Sequence, residues 1–150
     1  MWLPAGNVLN SGTGFLNPVE ETTLTIPSTA TKVITVGAYD ARFDQAAAFS
    51  GRGYTRATNQ VKPDLVAPGV EIMSCAPGGG YQVRTGTSMA TPFVTGSAAL
   101  LMQWGITDGN DAYLYGEKMK AYLIRGARRL PGFTAYPNRV LGDNGFIVSS

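Results

Sequence analysis

The longest apolar stretch of the chain starts just after Ser88 and ends at Gly105. Only a few polar side chains interrupt it, and its apolar positions occupy most faces of a helix. Such a helix belongs in a protein core. The pattern therefore predicts a buried helix that begins at Ser88. Pro92 is compatible with the start of a helix, where N–H groups have no intrahelical partner, and Gly96 would let another element approach closely.

Shorter runs upstream are rich in β-branched residues and are bounded by Gly and Pro, a pattern typical of strands. The strands are predicted at residues 22–26, 32–38, 64–67, 70–75 and 81–85. We expect the segment 32–38 to be buried. The last segment is placed as a hairpin partner of the one before it, across a flexible turn at Gly78–Gly80.

A second helix is predicted from Asp111, as its N-cap, to about Arg125. Its sheet-facing stripe is formed by residues at helical spacing, namely Tyr115, Met119, Tyr122 and Gly126. Pro131 would prevent its continuation, and Arg125, Arg128 and Arg129 suit a helix C-terminus. The segment Gly142–Gly145 has the composition of a hairpin-type turn. Strands that alternate with helices indicate an α/β fold with a mainly parallel sheet.

Composition places the chain among globular proteins. It has 150 residues, of which 44% are hydrophobic and 15% charged, enough for one domain with a substantial core. A net charge of +2 is too small to indicate a nucleic acid partner. The apolar stretch is broken by Thr95, Gly96 and Ser97, so no membrane span is predicted.

The residues that usually bind metals are scarce. Cys75 is the single cysteine and the chain has no histidine, which excludes a disulfide within the chain and disfavours a zinc site. Within a strand-like run, Cys75 is expected to be a buried structural thiol. No carboxylate cluster identifies a calcium site, and we expect no cofactor.

The segment Gly86–Pro92, with the sequence GTSMATP, has the chemistry of a nucleophile motif. A serine hydroxyl becomes a good nucleophile only when a base takes its proton, and histidine is the usual base. At the start of a helix, free N–H groups and the helix dipole would favour the oxyanion of acyl transfer. The alternative interpretation is that Ser88 is only an N-cap.

The motif resembles that of the subtilisin-like serine proteases, the subtilases. Three earlier segments are similar to family segments in the expected order: Pro4–Asn7, Phe49–Gly53 and Lys62–Val70. The resemblance covers residues 1 to about 130. The later segments at 122–128 and 136–138 look most like subtilases of clostridia-type bacteria, including the group that acts in spore germination.

This resemblance implies that Ser88 is the acyl-forming nucleophile of a serine endopeptidase. It implies that the side chain of Asn7 donates to the oxyanion, together with the backbone N–H of Ser88. Many subtilases have a histidine where this chain has Phe93, but that histidine is not the catalytic one. The implied substrate is a peptide or protein, and calcium sites occur in many members.

In subtilases the catalytic residues follow the order Asp, His, Asn and Ser. The similarity of this chain to the family begins just before the Asn. We therefore expect the Asp and His to lie upstream of Met1, and residues 1–150 to be the C-terminal portion of a catalytic domain. The expected fold is the later part of a doubly wound, mainly parallel sheet with flanking helices. A Ser–Lys arrangement is formally open. Its candidate bases are Lys32, Lys62, Lys118 and Lys120.

Two classes of function follow. The first is a serine endopeptidase that is inactive as this chain alone and needs the missing half, in the same chain or in trans. The second is a non-catalytic pseudoprotease that binds a peptide or regulates a partner. An exposed sheet edge and helix face predict poor solubility for the isolated chain. The resemblance is compatible with a secreted, cell-envelope or spore-associated protein.

Overall fold

Most of the short strands precede the two helices along the chain, and one follows them. The computed structural model describes residues 9–142 and the backbone of residues 144 and 145. The strands are β1 (Val36–Asp40), β2 (Gln45–Ala46), β3 (Gly53–Tyr54), β4 (Val61–Lys62), β5 (Leu65–Pro68), β6 (Ile72–Cys75), β7 (Tyr81–Arg84) and β8 (Asn144–Gly145). The helices are α1 (Thr87–Met102), followed by a π-helical turn (Gln103–Thr107), and α2 (Gly116–Gly126).

The central sheet has the strand order β2-β1-β5-β8. β1 and β5 are parallel, with Val36 opposite Leu65 and Tyr39 opposite Pro68. β8 continues the parallel arrangement beside β5, whereas β2 is antiparallel to β1. The prediction of an α/β fold with a mainly parallel sheet is therefore confirmed.

Alternate residues of the central strands face opposite sides of the sheet, as the period of a strand requires. On one side, Ala38 and Ala67 belong to a core with Ala90 and Val94 of α1, which Met119 and Leu123 of α2 complete. On the other side, the core consists of Tyr39, Val66, Leu130 and Leu141. The sheet thus has an apolar layer on each face, and α1 lies on the first.

The buried strand predicted at 32–38 begins only at Val36. The backbone of Val33 and Thr35, just before it, bonds to the side chains of Asp64 and of two lysines as well as to the Asp64 backbone. The N–H of Thr35 donates to Oδ2 of Asp64 at 2.7 Å, and the carbonyl of Thr35 accepts from the N–H of Asp64 at 2.9 Å. The carbonyl of Val33 accepts from two lysine ammonium groups. The side-chain bonds keep residues 33–35 out of the regular pairing of strands that begins at Val36.

Those lysines form a buried ion cluster with Asp64. Lys62 Nζ lies 2.7 Å from Asp64 Oδ2, and Lys120 Nζ lies 2.6 Å from Asp64 Oδ1. The side chains of Lys62 and Asp64 are only 1% and 5% exposed. Burial lowers the pKa of Lys62, and the hydrogen bond that its ammonium donates to Asp64 opposes that shift. The cluster joins β4 and the residue just before β5 to α2.

The prediction of a short strand at residues 22–26 is wrong. Turns at residues 21–22 and 26–29 leave Leu24 as the one buried apolar side chain between them. The Thr23 side chain accepts the N–H of Arg52 at 3.0 Å, and the Thr23 N–H donates to the Arg52 carbonyl. The Thr23 hydroxyl therefore occupies the Arg52 N–H, a donor that pairing between two strands would need.

The second helix starts later than predicted. Its N-cap is Tyr115, without a side-chain capping bond, because the Asp111 carboxylate instead pairs with Lys118 Nζ at 2.6 Å and accepts from the Tyr122 hydroxyl. The Lys118 ammonium lowers the pKa of Asp111. In the predicted stripe only Met119 is buried, and Leu123 is its buried partner one turn on.

The predicted burial of α1 on most faces is also wrong within the described part of the chain. Only Ala90 and Val94 are buried in this helix, whereas Leu100 is 69% exposed and Trp104, in the π-helical turn, is 45% exposed. A Cβ at Gly96 would meet no described atom within 4 Å. The sheet covers one side of α1, and the opposite apolar side faces outward.

The C-terminal turn lies a few residues before its predicted position. A bridge joins Asn138 to Gly142, and the Asn138 side chain accepts the N–H groups of Val140 and Leu141 at 3.0 and 2.8 Å. Asn144 and Gly145 instead form β8, parallel to β5. The predicted hairpin-type turn at 142–145 is therefore wrong.

Candidate active site

The β6–β7 hairpin forms one wall of the site. The two strands are antiparallel, with Ile72 opposite Arg84 and Cys75 opposite Tyr81, and the three glycines at 78–80 all have positive φ. At the open end, the Thr85 hydroxyl accepts the N–H of Glu71 at 2.9 Å. The predicted hairpin is confirmed, and it returns the chain to the start of α1.

Ser88 lies in the first turn of α1. The N-cap is Gly86, with no side-chain capping bond, so the interpretation of Ser88 as an N-cap is wrong. The Gly86 N–H donates to the carbonyl of Gly69 at 2.8 Å, which fastens the helix start to the end of β5. The Ser88 side chain is exposed, next to N–H groups that have no partner within the helix.

Gly69 makes this close approach between β5 and α1 sterically feasible. A Cβ at Gly69 would lie 2.6 Å from the Ala38 Cβ and 3.0 Å from the Gly86 carbonyl oxygen. We expect Gly69→Ala to lower the free energy of unfolding by about 1–3 kcal/mol, because a well-packed core must shift to take the methyl group.

The matched control is Gly96→Ala, in the middle of α1, where no described atom lies within 4 Å of the new Cβ. This change should raise the free energy of unfolding by about 0.5–1 kcal/mol, because alanine favours a helix. Urea unfolding of both variants measures the difference. Equal effects of the two substitutions would contradict the packing role of Gly69.

Pro92 is inside α1 and not at its start, contrary to the sequence-based expectation. Proline has no N–H, and its ring crowds the carbonyl four residues earlier. That carbonyl belongs to Ser88, so the helix gives it no ordinary bond.

Ser88 opens onto an apolar depression of about 350 Å³ between α1 and β6. Its lining residues are Ile72, Met73, Ser74, Ser88, Met89, Pro92 and Phe93. An exposed hydroxyl beside an apolar wall can meet a peptide whose side chain fills the depression. The sequence pattern predicts the hairpin and its place before the motif, but it does not predict that Ile72, Met73 and Ser74 of β6 line the depression.

Cys75 is exposed, so the prediction of a buried thiol is wrong. It lies on a two-stranded hairpin whose other side has no covering layer among the described residues, and strand propensity alone does not decide burial. A second depression of about 340 Å³ contains Cys75 together with Arg84 and Met89.

The four lysines considered as bases all have carboxylate partners. Lys62 and Lys120 pair with Asp64, Lys118 pairs with Asp111, and Lys32 lies 3.5 Å from Glu117. A general base must reach the nucleophile by a hydrogen bond. Among the described residues, the Lys62, Lys118 and Lys120 ammonium groups donate to backbone carbonyls and to Asp64 or Asp111, and not to Ser88. The geometry therefore gives the Ser–Lys arrangement no support.

Asn7 lies outside the described residues, so its role as an oxyanion donor stays a prediction. Phe93 is half-buried and lines the depression. Across the described ranges, no group of three or more His, Cys, Asp or Glu side chains is placed to hold a metal ion. No helix in the same ranges combines the length and apolar character needed to cross a membrane.

Comparisons with known proteins agree with this architecture. Residues 4–145 match the model of the "Subtilase family". The chain is 46% identical over 77 residues to an intracellular serine protease of Paenibacillus polymyxa, covering 51% of this chain and 21% of that protein. It is 38% identical over 119 residues to the serine protease AprX of Bacillus subtilis (strain 168), covering 66% and 26%.

One solved structure is similar to this chain in both sequence and fold. The CspB protease of Clostridium perfringens is 48% identical, with a TM-score of 0.86, over 92% of this chain and 29% of that one. The chain therefore spans about three tenths of that protein and 21–26% of the two sequence relatives.

Proposed function

This chain belongs to the subtilase family, and we propose on that premise that it carries the nucleophile of a serine endopeptidase. The observation that supports the proposal is the position of Ser88: exposed, in the first turn of α1, and at the edge of an apolar depression. The named relatives are themselves described as proteases.

The proposed reaction is acyl transfer followed by hydrolysis. Ser88 Oγ bonds to the carbonyl carbon of the scissile peptide while a base takes its proton, and that proton passes to the departing amine. Water then attacks the acyl group and releases Ser88. The N–H groups at the start of α1 are suited to the oxyanion, because they point out of the helix toward developing negative charge.

We propose that an Asp and a His supplied from outside residues 1–150 activate Ser88. The chain contains no histidine, and its lysines are paired elsewhere. The chain spans 29% of the CspB protease. The outward apolar side of α1 and the π-helical turn, with Leu100, Trp104 and Ile106, offers a surface on which such a segment can pack.

Complementation tests the endopeptidase proposal. Residues 1–150 are produced alone and together with the part of the Clostridium perfringens CspB protease that precedes the aligned region. We expect labelling by a fluorophosphonate probe and peptide cleavage only in the combined sample. Labelling of Ser88 in the chain alone would contradict the need for an external base. A folded complex that neither labels nor cleaves would favour a peptide-binding pseudoprotease.

Asn7→Ala tests the proposed oxyanion donor. Removal of one such donor reduces turnover by about 10²–10³-fold, because the oxyanion loses a preorganised hydrogen bond. In the complemented protein we expect this loss in kcat with little change in KM. Asn10→Ala, three residues along the same segment and exposed, is the matched control. A loss below about threefold for Asn7→Ala would remove Asn7 from the mechanism.

The similarity to a clostridial protease supports the narrower proposal that the chain belongs to the clostridial type. We propose a secreted, cell-envelope or spore-associated protein acting on peptides or proteins. Immunodetection in medium, envelope and spore fractions of a producing strain tests this location, and detection only in the cytoplasm would contradict it.

A further inference from the structure

We propose that Arg84 binds a carboxylate of the substrate close to the scissile bond. This inference rests on the proposed endopeptidase function and adds a substrate class to it. The carboxylate belongs either to an Asp or Glu side chain or to the C-terminus of the peptide, and the two sources require different peptides to distinguish them.

The first support is the continuity of two depressions. The one that contains Ser88 and the one that contains Arg84 share Ile72, Ser74 and Met89 in their linings. Met89 directly follows Ser88, and Ile72 is the cross-strand partner of Arg84. A peptide that places its carbonyl carbon at Ser88 Oγ therefore reaches the second depression within a few residues.

The second support is charge. Arg84 is the one charged side chain among the residues that line these two depressions. Its guanidinium donates to the Gln82 side-chain oxygen at 3.2 Å, and no ion pair among the described residues includes it. The nearby Glu71 is bound by Arg42. The linings therefore present a positive charge without a carboxylate of their own.

The chemistry of the guanidinium then selects the ligand. Its planar group of five N–H donors matches a carboxylate, which it binds through two parallel hydrogen bonds. The Gln82 contact uses one terminal nitrogen, Nη2, and leaves further donors for a ligand. The Gln82 amide restricts the arginine side chain, which reduces the entropy lost when a substrate binds.

The experiment uses the complemented protein and two sets of peptides. The first set carries a single Asp or its neutral counterpart Asn at each of several positions around the cleaved bond, with amidated C-termini. The second set is neutral and differs only in a free or amidated C-terminus. We expect kcat/KM to favour Asp over Asn about three- to fivefold at one position, the size typical of a solvent-accessible ion pair. A carboxyl-terminal source would instead favour the free terminus.

Substitution of Arg84 shows whether it is responsible. Arg84→Gln should reduce the preference to about one, and Arg84→Glu should reverse it. The control Arg125→Gln removes the same charge from the last turn of α2 and should retain the preference. High salt should weaken the preference of the unsubstituted protein, since it screens accessible charges. A preference that survives Arg84→Gln, or no preference in either set, would overturn the proposal.

A binding measurement separates this proposal from the endopeptidase proposal. If no peptide is cleaved, the endopeptidase proposal is contradicted, but the Arg84 proposal can still be tested by binding. Fluorescence anisotropy of the same labelled peptides with the complemented Ser88→Ala protein then reports binding alone. Tighter binding of the Asp or free-terminus peptide, lost in Ser88→Ala/Arg84→Gln, would support Arg84 as a carboxylate-binding residue. Equal binding of charged and neutral peptides would contradict it.

Discussion

Ser88→Ala should reduce kcat of the complemented protein by about 10⁶-fold, a magnitude that comes from another subtilase and not from this chain. The substitution removes the atom that forms the acyl-enzyme and leaves only the catalysis supplied by substrate binding and the oxyanion donors. Because the Ser88 side chain is exposed, the loss of its hydroxyl should change the free energy of unfolding by less than about 0.5 kcal/mol.

The matched control for this prediction is Ser97→Ala on the same helix. The Ser97 hydroxyl donates to the Phe93 carbonyl at 2.9 Å, a bond that belongs to the helix and not to the site. Initial rates of peptide cleavage and fluorophosphonate labelling measure both variants. We expect Ser97→Ala to keep nearly all of the activity. If Ser88→Ala cleaves peptides within tenfold of the unsubstituted rate, Ser88 is not the nucleophile.

Asp64→Asn should lower the free energy of unfolding by about 3–5 kcal/mol. The substitution keeps the shape of the side chain but leaves the buried Lys62 ammonium and the neighbouring Lys120 without their counter-charge. It also weakens the acceptor for the Thr35 N–H. Urea unfolding followed by tryptophan fluorescence measures this change, and a lower midpoint with an unchanged slope would assign it to the native state.

Glu117→Gln is the control for Asp64→Asn. It removes a carboxylate whose partner, Lys32, is 3.5 Å away, with both side chains more than half exposed, and should change stability by less than about 1 kcal/mol. A double-mutant cycle of Asp64→Asn with Lys62→Met measures the interaction between the two side chains. Loss of the buried ammonium should relieve part of the stability cost of Asp64→Asn. Equal losses for Asp64→Asn and Glu117→Gln would contradict a buried ion cluster.

Several predicted elements that short-range patterns indicate are confirmed. The β6–β7 hairpin follows from alternating residues on both sides of three glycines, and the strand before Gly69 from a short apolar run. The start of α1 differs by one residue from its predicted position at Ser88. Turn chemistry and side-chain periodicity act over a few residues, so the sequence reports them directly.

The wrong predictions depend on contacts that lie outside the predicted segment, or on the lack of a covering layer. The strand at 32–38 begins late because Asp64 and two lysines occupy the backbone of the preceding residues. Asp111 does not cap α2 because Lys118 and Tyr122 take its carboxylate. Cys75 is exposed because the hairpin that carries it projects from the sheet. In each case the tertiary surroundings, and not the local preference of the segment, decide the outcome.

For the candidate site, the sequence by itself determined the family and the identity of the proposed nucleophile, because an ordered motif around Ser88 carries that information residue by residue. Tertiary structure alone decided that the Ser88 side chain is exposed beside an apolar depression, that the candidate lysines are paired elsewhere, and that Arg84 lies in an adjoining depression without a carboxylate. Those facts depend on which surfaces the packing of β5, the hairpin and α1 leaves open. Motif identity is local, whereas exposure and charge pairing are properties of the assembled fold.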